Sequence, residues 1–216
     1  MNYSLFSYRS KKDTLEVYDT EEIKQVLEAA KGTDIYLLVL LGLSVGMRRG
    51  EIDSLKWSHI SFEQRTITVS KSRVHVKKAV IEKDPKSAAG NRTITIGSDV
   101  LAELQKAKNE YDERAKEAWF HDLGYVVCKE DGTPYHPDSL TQKWERFTER
   151  HNLRHIKLHA MRHTNATTMI AAGVNPKVVQ QRLGHADVSV TLNTYTHVLP
   201  SMDQEAADKI DNILFA

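Results

Sequence analysis

The run Ile35-Tyr36-Leu37-Leu38-Val39-Leu40-Leu41-Gly42-Leu43 constrains this chain more than any other feature. Its side chains are apolar all round a helix rather than along one stripe, so the helix must be enclosed by other elements. It is far shorter than the roughly 20 apolar residues that cross a bilayer, and Gly42 interrupts it. A buried helix inside a globular domain remains. The chain has the material to enclose it, with 216 residues, 40% of them apolar, and only 10 Gly and 5 Pro. Met1–Lys12 lacks the apolar stretch of a secretory leader. The single Cys128 permits no internal disulfide and fits a reducing, cytoplasmic setting.

Around that helix the periodicity predicts a mainly α domain with one small antiparallel β-sheet. Asp19 with Glu22 forms a capping box that opens a helix to Ala30, stopped at Gly32. Asp34 is placed to cap Ile35–Val45, Gly46 breaks it, and Arg49–Trp57 reads as a short helix with Ile52 and Leu55 inward. Alternation at Thr66–Val69, Ala79–Ile81 and Thr93–Ile96 predicts strands. Ser98 then starts a helix to about Trp119, with Leu101, Leu104, Ala107 and Tyr111 on one side. Tyr125–Cys128 reads as a buried extended piece, followed by a turn at Asp131-Gly132. The remainder is helical: Pro137–His151, Leu158–Ala172, Pro176–Leu183, Val188–Tyr195 and Asp203–Leu214.

A formal net charge of +1 hides an uneven distribution. Arg65–Arg92 holds eight bases against two acids, and Lys143–Arg182 again eight against two, with four histidines besides. Acids gather in Asp13–Glu28, Asp99–Asp122 and the last fourteen residues. Two basic stretches on one face are what a polyanion such as DNA needs.

Within those stretches the chemistry concentrates. In Gly46-Met47-Arg48-Arg49-Gly50-Glu51 two arginines lie at a helix junction, where arginine is ordinarily a surface residue, and Glu51 stands one turn beyond Arg48. Lys86 sits in a loop between two strands. In His159-Ala160-Met161-Arg162-His163, His159 and Arg162 share a helix face and can converge on one anion. His159 and His163 have the spacing of a zinc pair, but no acid follows His159, which disfavours a metalloprotease. Leu183-Gly184-His185 ends a helix, and Tyr195 follows in Thr194-Tyr195-Thr196-His197.

Arginine, lysine, histidine with arginine, histidine, then tyrosine, in that order from about Leu15 to Ala216, resembles the catalytic domain of the tyrosine recombinase (phage integrase) family. The resemblance implies a site-specific DNA recombinase acting on double-stranded DNA through a 3′-phosphotyrosine, with no cofactor and no metal. It implies Tyr195 as nucleophile, Arg48, Arg162 and His185 on the phosphate, Lys86 as general acid, His159 as acceptor of the tyrosine proton, and Glu51 in support. Arg49, Lys71, Arg73, Lys77, Lys78 and Arg92 are further candidate DNA contacts. Residues 1–14 read as a linker, with the family's core-binding domain absent from this chain. The tail helix Asp203–Leu214, with Ala206, Ile210, Ile213 and Leu214 in a stripe, is expected to join protomers of a tetramer on DNA. The rival readings are a type IB topoisomerase-like enzyme, a DNA-binding module without activity, and a metal enzyme using His159, His163 and His185.

Overall fold

The computed structural model describes residues 16–76, 79–83, 90–185, 187 and 210–214. The expected helix Val188–Tyr195 lies outside them, as do Lys77, Lys78, Lys86 and Ala206; of the expected tail helix, residues 210–214 are described and helical.

Helix α1 (Thr20–Ala30) begins with the expected capping box, Asp19 accepting from the Glu22 amide while Glu22 accepts from the Asp19 amide. Helix α2 (Tyr36–Leu40) is the enclosed apolar helix, with Leu38 and Val39 buried. Asp34 does not cap it; its carboxylate accepts instead from the Tyr135 hydroxyl at 3.1 Å and from Lys143. The continuation Leu41–Val45 is not α-helical but a π-helical turn. Such a turn leaves carbonyls poorly paired, and the buried Asn165 amide donates to one of them, Leu43 O, at 2.9 Å. Gly46 closes the turn in the left-handed region, at φ 76°, packed so tightly that a Cβ would lie 2.5 Å from Asn165 Oδ1.

Helix α3 (Arg49–Asp53) is shorter than expected, and a 3-10 turn follows at Trp57–His59. The β region departs from the expectation of one sheet. Strands β1 (Ile60–Ser61), β2 (Thr66–Val69) and β5 (Arg92–Thr95) pair in the order β1-β2-β5, whereas β3 (Ser72–Val76) and β4 (Ala79–Lys83) form a separate ribbon. Ile67 faces Ile94 across the β2–β5 register and both are buried, so this sheet is held by its apolar face. The β3–β4 ribbon buries no such face. It leans on α3, where the Ser54 hydroxyl donates to Lys71 O at 2.8 Å and a Cβ at Gly50 would lie 2.8 Å from Arg73 O.

Helix α4 (Ser98–Arg114) has Gly97 rather than Ser98 at its N-cap and ends before Trp119. Helices α5 (Pro137–Arg150), α6 (Leu158–Ala171) and α7 (Pro176–Leu183) match their expected spans, and Asn175 caps α7 by accepting from the Lys177 amide. Trp144 of α5 is fully buried and donates to Ile156 O at 2.6 Å, tying α5 to the segment that leads into α6. The main core runs from Tyr18 through α2, the three-stranded sheet and α5 to Met161; a smaller cluster of Ala166, Ile170, Val179 and Leu183 joins α6 to α7. Among the described residues no helix is long and apolar enough to cross a membrane.

Candidate active site

The site is assembled where four chain segments end. The π-helical turn delivers the backbone to Arg48, whose extended conformation makes it the N-cap of α3. Its amide donates to Glu51 Oε2 at 2.8 Å and its guanidinium Nη1 to Oε1 at 2.8 Å, so the pairing inferred from their spacing is present. The Glu51 carboxylate, only 6% exposed, receives a second guanidinium through a two-pronged contact: Arg92 Nη1 to Oε1 at 3.0 Å and Nη2 to Oε2 at 2.8 Å. Burial works to raise the Glu51 pKa. The hydrogen bonds and charge of Arg92, with those of Arg48, outweigh it and hold the pKa down at about 2.

Arg162, on the first turns of α6, is 1% exposed and reaches across to both other ends of the site. Nη1 donates to Gly46 O at 2.8 Å and Nη2 to Leu183 O. Arg48 Nη2 lies 3.4 Å from the next carbonyl, Gly184 O, and Arg92 Nε donates to Arg182 O at 2.6 Å. Three guanidiniums thus attach to the successive carbonyls 182, 183 and 184 at the C-terminus of α7, where the helix leaves carbonyls without helical partners. His185 follows directly, its own carbonyl held by the Gln180 side-chain amide at 2.5 Å. The arrangement gathers the Arg48 and Arg162 guanidiniums and the start of His185 at the C-terminal end of α7.

The histidines here are held neutral. Burial first, then the nearby charges of Arg162 and Arg48, lower the pKa of His159 and bring that of His185 to about 4. His163, whose ring meets that of His159 edge-on at 4.8 Å, also falls to about 4, through burial and then the His159 and Arg162 charges. A neutral imidazole can accept a proton or donate one N–H without adding charge. His159, His163 and His185 do not bring three metal-ligating atoms into one group among the described residues.

Stability carries the same signature. A histidine whose folded pKa is depressed contributes stability that is complete above about pH 6.5 and is lost as pH falls toward 4. Asp53, raised to about 6 by burial against the opposing charges of Arg73 and Arg49, works in the other direction between pH 6 and 4. With partial exposure discounted, two histidines outweigh one carboxyl, and acidification from pH 7 to 5 is expected to cost about 1–2 kcal/mol. Thermal melts should record a drop of about 2–6 °C; a rise would contradict the assignment of neutral buried histidines.

The basic residues singled out as DNA contacts divide. Arg92 is turned inward onto Glu51, and Arg73 onto the fully buried Asp53 at 3.2 Å and Tyr135 O at 3.2 Å. Each neutralises a carboxylate that could not be buried alone. Arg49 donates to the Thr141 hydroxyl at 2.7 Å from a partly exposed position, and Lys71 is exposed. Lys86 and Tyr195 lie outside the described residues, as do Lys77 and Lys78. Sequence reading missed the roles of Arg92 and Asp53, because their partners are 41 and 20 residues away and no local spacing signals them.

The domain is mainly helical with small antiparallel sheets, and it gathers arginines and neutral histidines at the C-terminal end of α7. The chain belongs to the phage integrase family, whose model matches residues 16–202. It is 32% identical over 213 residues to a tyrosine recombinase XerC-like protein of Caldanaerobacter subterraneus subsp. tengcongensis, covering 92% of this chain and 54% of that one. It is 30% identical over 176 residues to the ICEBs1 integrase of Bacillus subtilis, covering 78% of this chain and 46% of that one. The chain therefore spans about half the length of the curated relatives it matches. Among solved structures, the Tn1549 transposon integrase in complex with transposon right end DNA superposes with a TM-score of 0.75 at 25% identity, covering 96% of this chain and 69% of that one. The catalytic domain of bacteriophage HP1 integrase shares the fold, with a TM-score of 0.57 at 20% identity over 91% of this chain and 95% of that one.

Proposed function

We propose that residues 15–216 form the catalytic domain of a site-specific DNA recombinase that cleaves and rejoins double-stranded DNA to integrate or excise a phage or other mobile element. The observation that carries this reading is the attachment of Arg48 and Arg162 to adjacent carbonyls at the end of α7, beside His185. Two forked cations and a neutral imidazole gathered at one helix end are suited to the non-bridging oxygens of a phosphodiester, whose charge grows in the transition state.

In this reading the Tyr195 hydroxyl oxygen attacks the scissile phosphorus, forming a P–O bond as the bond to the 5′-oxygen breaks. His159, neutral near pH 7, takes the tyrosine proton, and Lys86 gives a proton to the departing 5′-oxygen. The bond is conserved as a 3′-phosphotyrosine, so a 5′-hydroxyl restores the diester by the reverse steps with no nucleotide, and the arginines supply the electrophilic role that a metal fills elsewhere. Glu51 positions Arg48. Arg49, Lys71, Lys77 and Lys78 track the DNA backbone. The tail places its exposed Ile210, Ile213 and Leu214 against a neighbouring protomer of a DNA-bound tetramer in the cytoplasm. Topoisomerase-like and binding-only readings are less well supported, since the relatives are recombinases, integrases and transposases.

A pool of nicked duplexes incubated with the protein, then treated with SDS, tests this. A covalent protein–DNA adduct is expected with the wild type and none with Tyr195→Phe, because phenylalanine has no oxygen to hold the phosphate. An adduct that persists in Tyr195→Phe overturns the assignment of the nucleophile.

A further inference from the structure

Away from the site just described, the end of the β3–β4 ribbon meets the start of α5. His75, next to last in β3, places Nδ1 2.8 Å from Asp138 Oδ2. His136, the N-cap of α5, places Nδ1 3.8 Å from the same oxygen. Among the described residues these three alone bring ligating atoms of three such side chains together, all within 4.8 Å of one another. The imidazoles meet edge-to-face at 4.6 Å rather than stacking, so their nitrogens are not both buried against a ring. The other Asp138 oxygen, Oδ1, faces Arg49 at 4.0 Å, leaving Oδ2 to the histidines.

We propose that His75, His136 and Asp138 form a surface site for a late divalent transition cation such as Zn2+. Two imidazoles and one carboxylate are the donor types that suit zinc, and bonds of about 2.0–2.2 Å in a tetrahedron set ligand atoms about 3.4 Å apart. The two histidine–aspartate distances of 2.8 and 3.8 Å bracket that separation, and with all three ligand atoms within 4.8 Å of one another, side-chain shifts of about 1 Å bring them to it. All three side chains are one-third to one-half exposed, which gives the ion an entry path and leaves its fourth position to water. The present contact between His75 and Asp138 and the weak acceptance of the Asp138 amide by His136 Nδ1, at 3.3 Å, are exchanged for metal bonds. A consequence follows from topology. Among the described residues the β3–β4 ribbon has two strands and pairs with no other strand, and a two-stranded ribbon by itself is marginally stable. A metal bond from His75 to α5 fastens its far end.

Calorimetric titration of the chelator-treated chain with Zn2+ alone, at pH 7.5, is the test. The wild type should bind one ion saturably in the micromolar range. His75→Ala, His136→Ala and Asp138→Asn, all at exposed positions, should each weaken that binding at least about tenfold. Zinc at about a hundred times its Kd should raise the wild-type melting temperature by about 5–10 °C and those of the variants by no more than about half as much. It should also slow amide exchange in residues 72–76 and 79–83. Absence of saturable binding up to millimolar zinc overturns the proposal. So does binding of equal strength in the three variants, which would place the ion at other histidines. None of these readouts depends on DNA cleavage.

Discussion

Replacing Glu51 with alanine is expected to destabilise the domain by about 3–5 kcal/mol, the largest loss anticipated for any single polar residue of the site. Glu51 accepts four charge-assisted contacts: the Arg48 amide and guanidinium, and both prongs of Arg92. Arg92 is itself 6% exposed at its side chain, so without the carboxylate a guanidinium stays buried with its charge unmatched. Glu51→Gln keeps the shape and one acceptor oxygen but not the charge, and should cost about half as much. Urea unfolding of both variants measures this. A loss under about 1 kcal/mol for Glu51→Ala would mean that the cluster relaxes to water and that Glu51 does not organise it.

Arg162→Lys is expected to slow DNA cleavage by about 10²–10³-fold while changing DNA affinity by no more than about threefold. The buried guanidinium bridges Gly46 O and Leu183 O, which fixes its orientation. A lysine keeps the positive charge, which is most of what phosphate binding reads. It has one nitrogen, and cannot hold two carbonyls on opposite sides while facing a third group. One buried carbonyl then loses its donor, and a stability loss of about 1–3 kcal/mol accompanies the kinetic effect. Single-turnover cleavage of a nicked duplex, set beside filter binding of the same duplex, separates the two readouts. Equal cleavage by the wild type and Arg162→Lys would remove Arg162 from the transition state.

Local chemistry made much of this protein legible. The capping box at Asp19 and Glu22, the apolar helix after Ile35 and the Asn175-Pro176 helix start depend on residues within one or two turns, and each appears in the structure. The Arg48–Glu51 pair is likewise a three-residue spacing, and its hydrogen bonds are present. Asp34 and Ser98 failed as caps because a cap is decided by competition. Asp34 is drawn to Tyr135 and Lys143, in the loop before α5 and on α5 itself, and at α4 the extended Gly97 takes the position. The π-helical turn was illegible for a related reason, since the amide that stabilises it comes from Asn165, 122 residues away.

The sequence alone thus determined the helical character, the burial of the central helix and the family to which the chain belongs, because these rest on periodicity and on the order of a few residues. Only the tertiary structure decided that the strands split into two sheets, and that Arg73 and Arg92 neutralise Asp53 and Glu51 rather than lie on the surface. It also decided that His75 of β3 meets His136 and Asp138 of α5. A buried carboxylate must find a cation wherever the fold brings one, and nothing in local spacing records which cation that is.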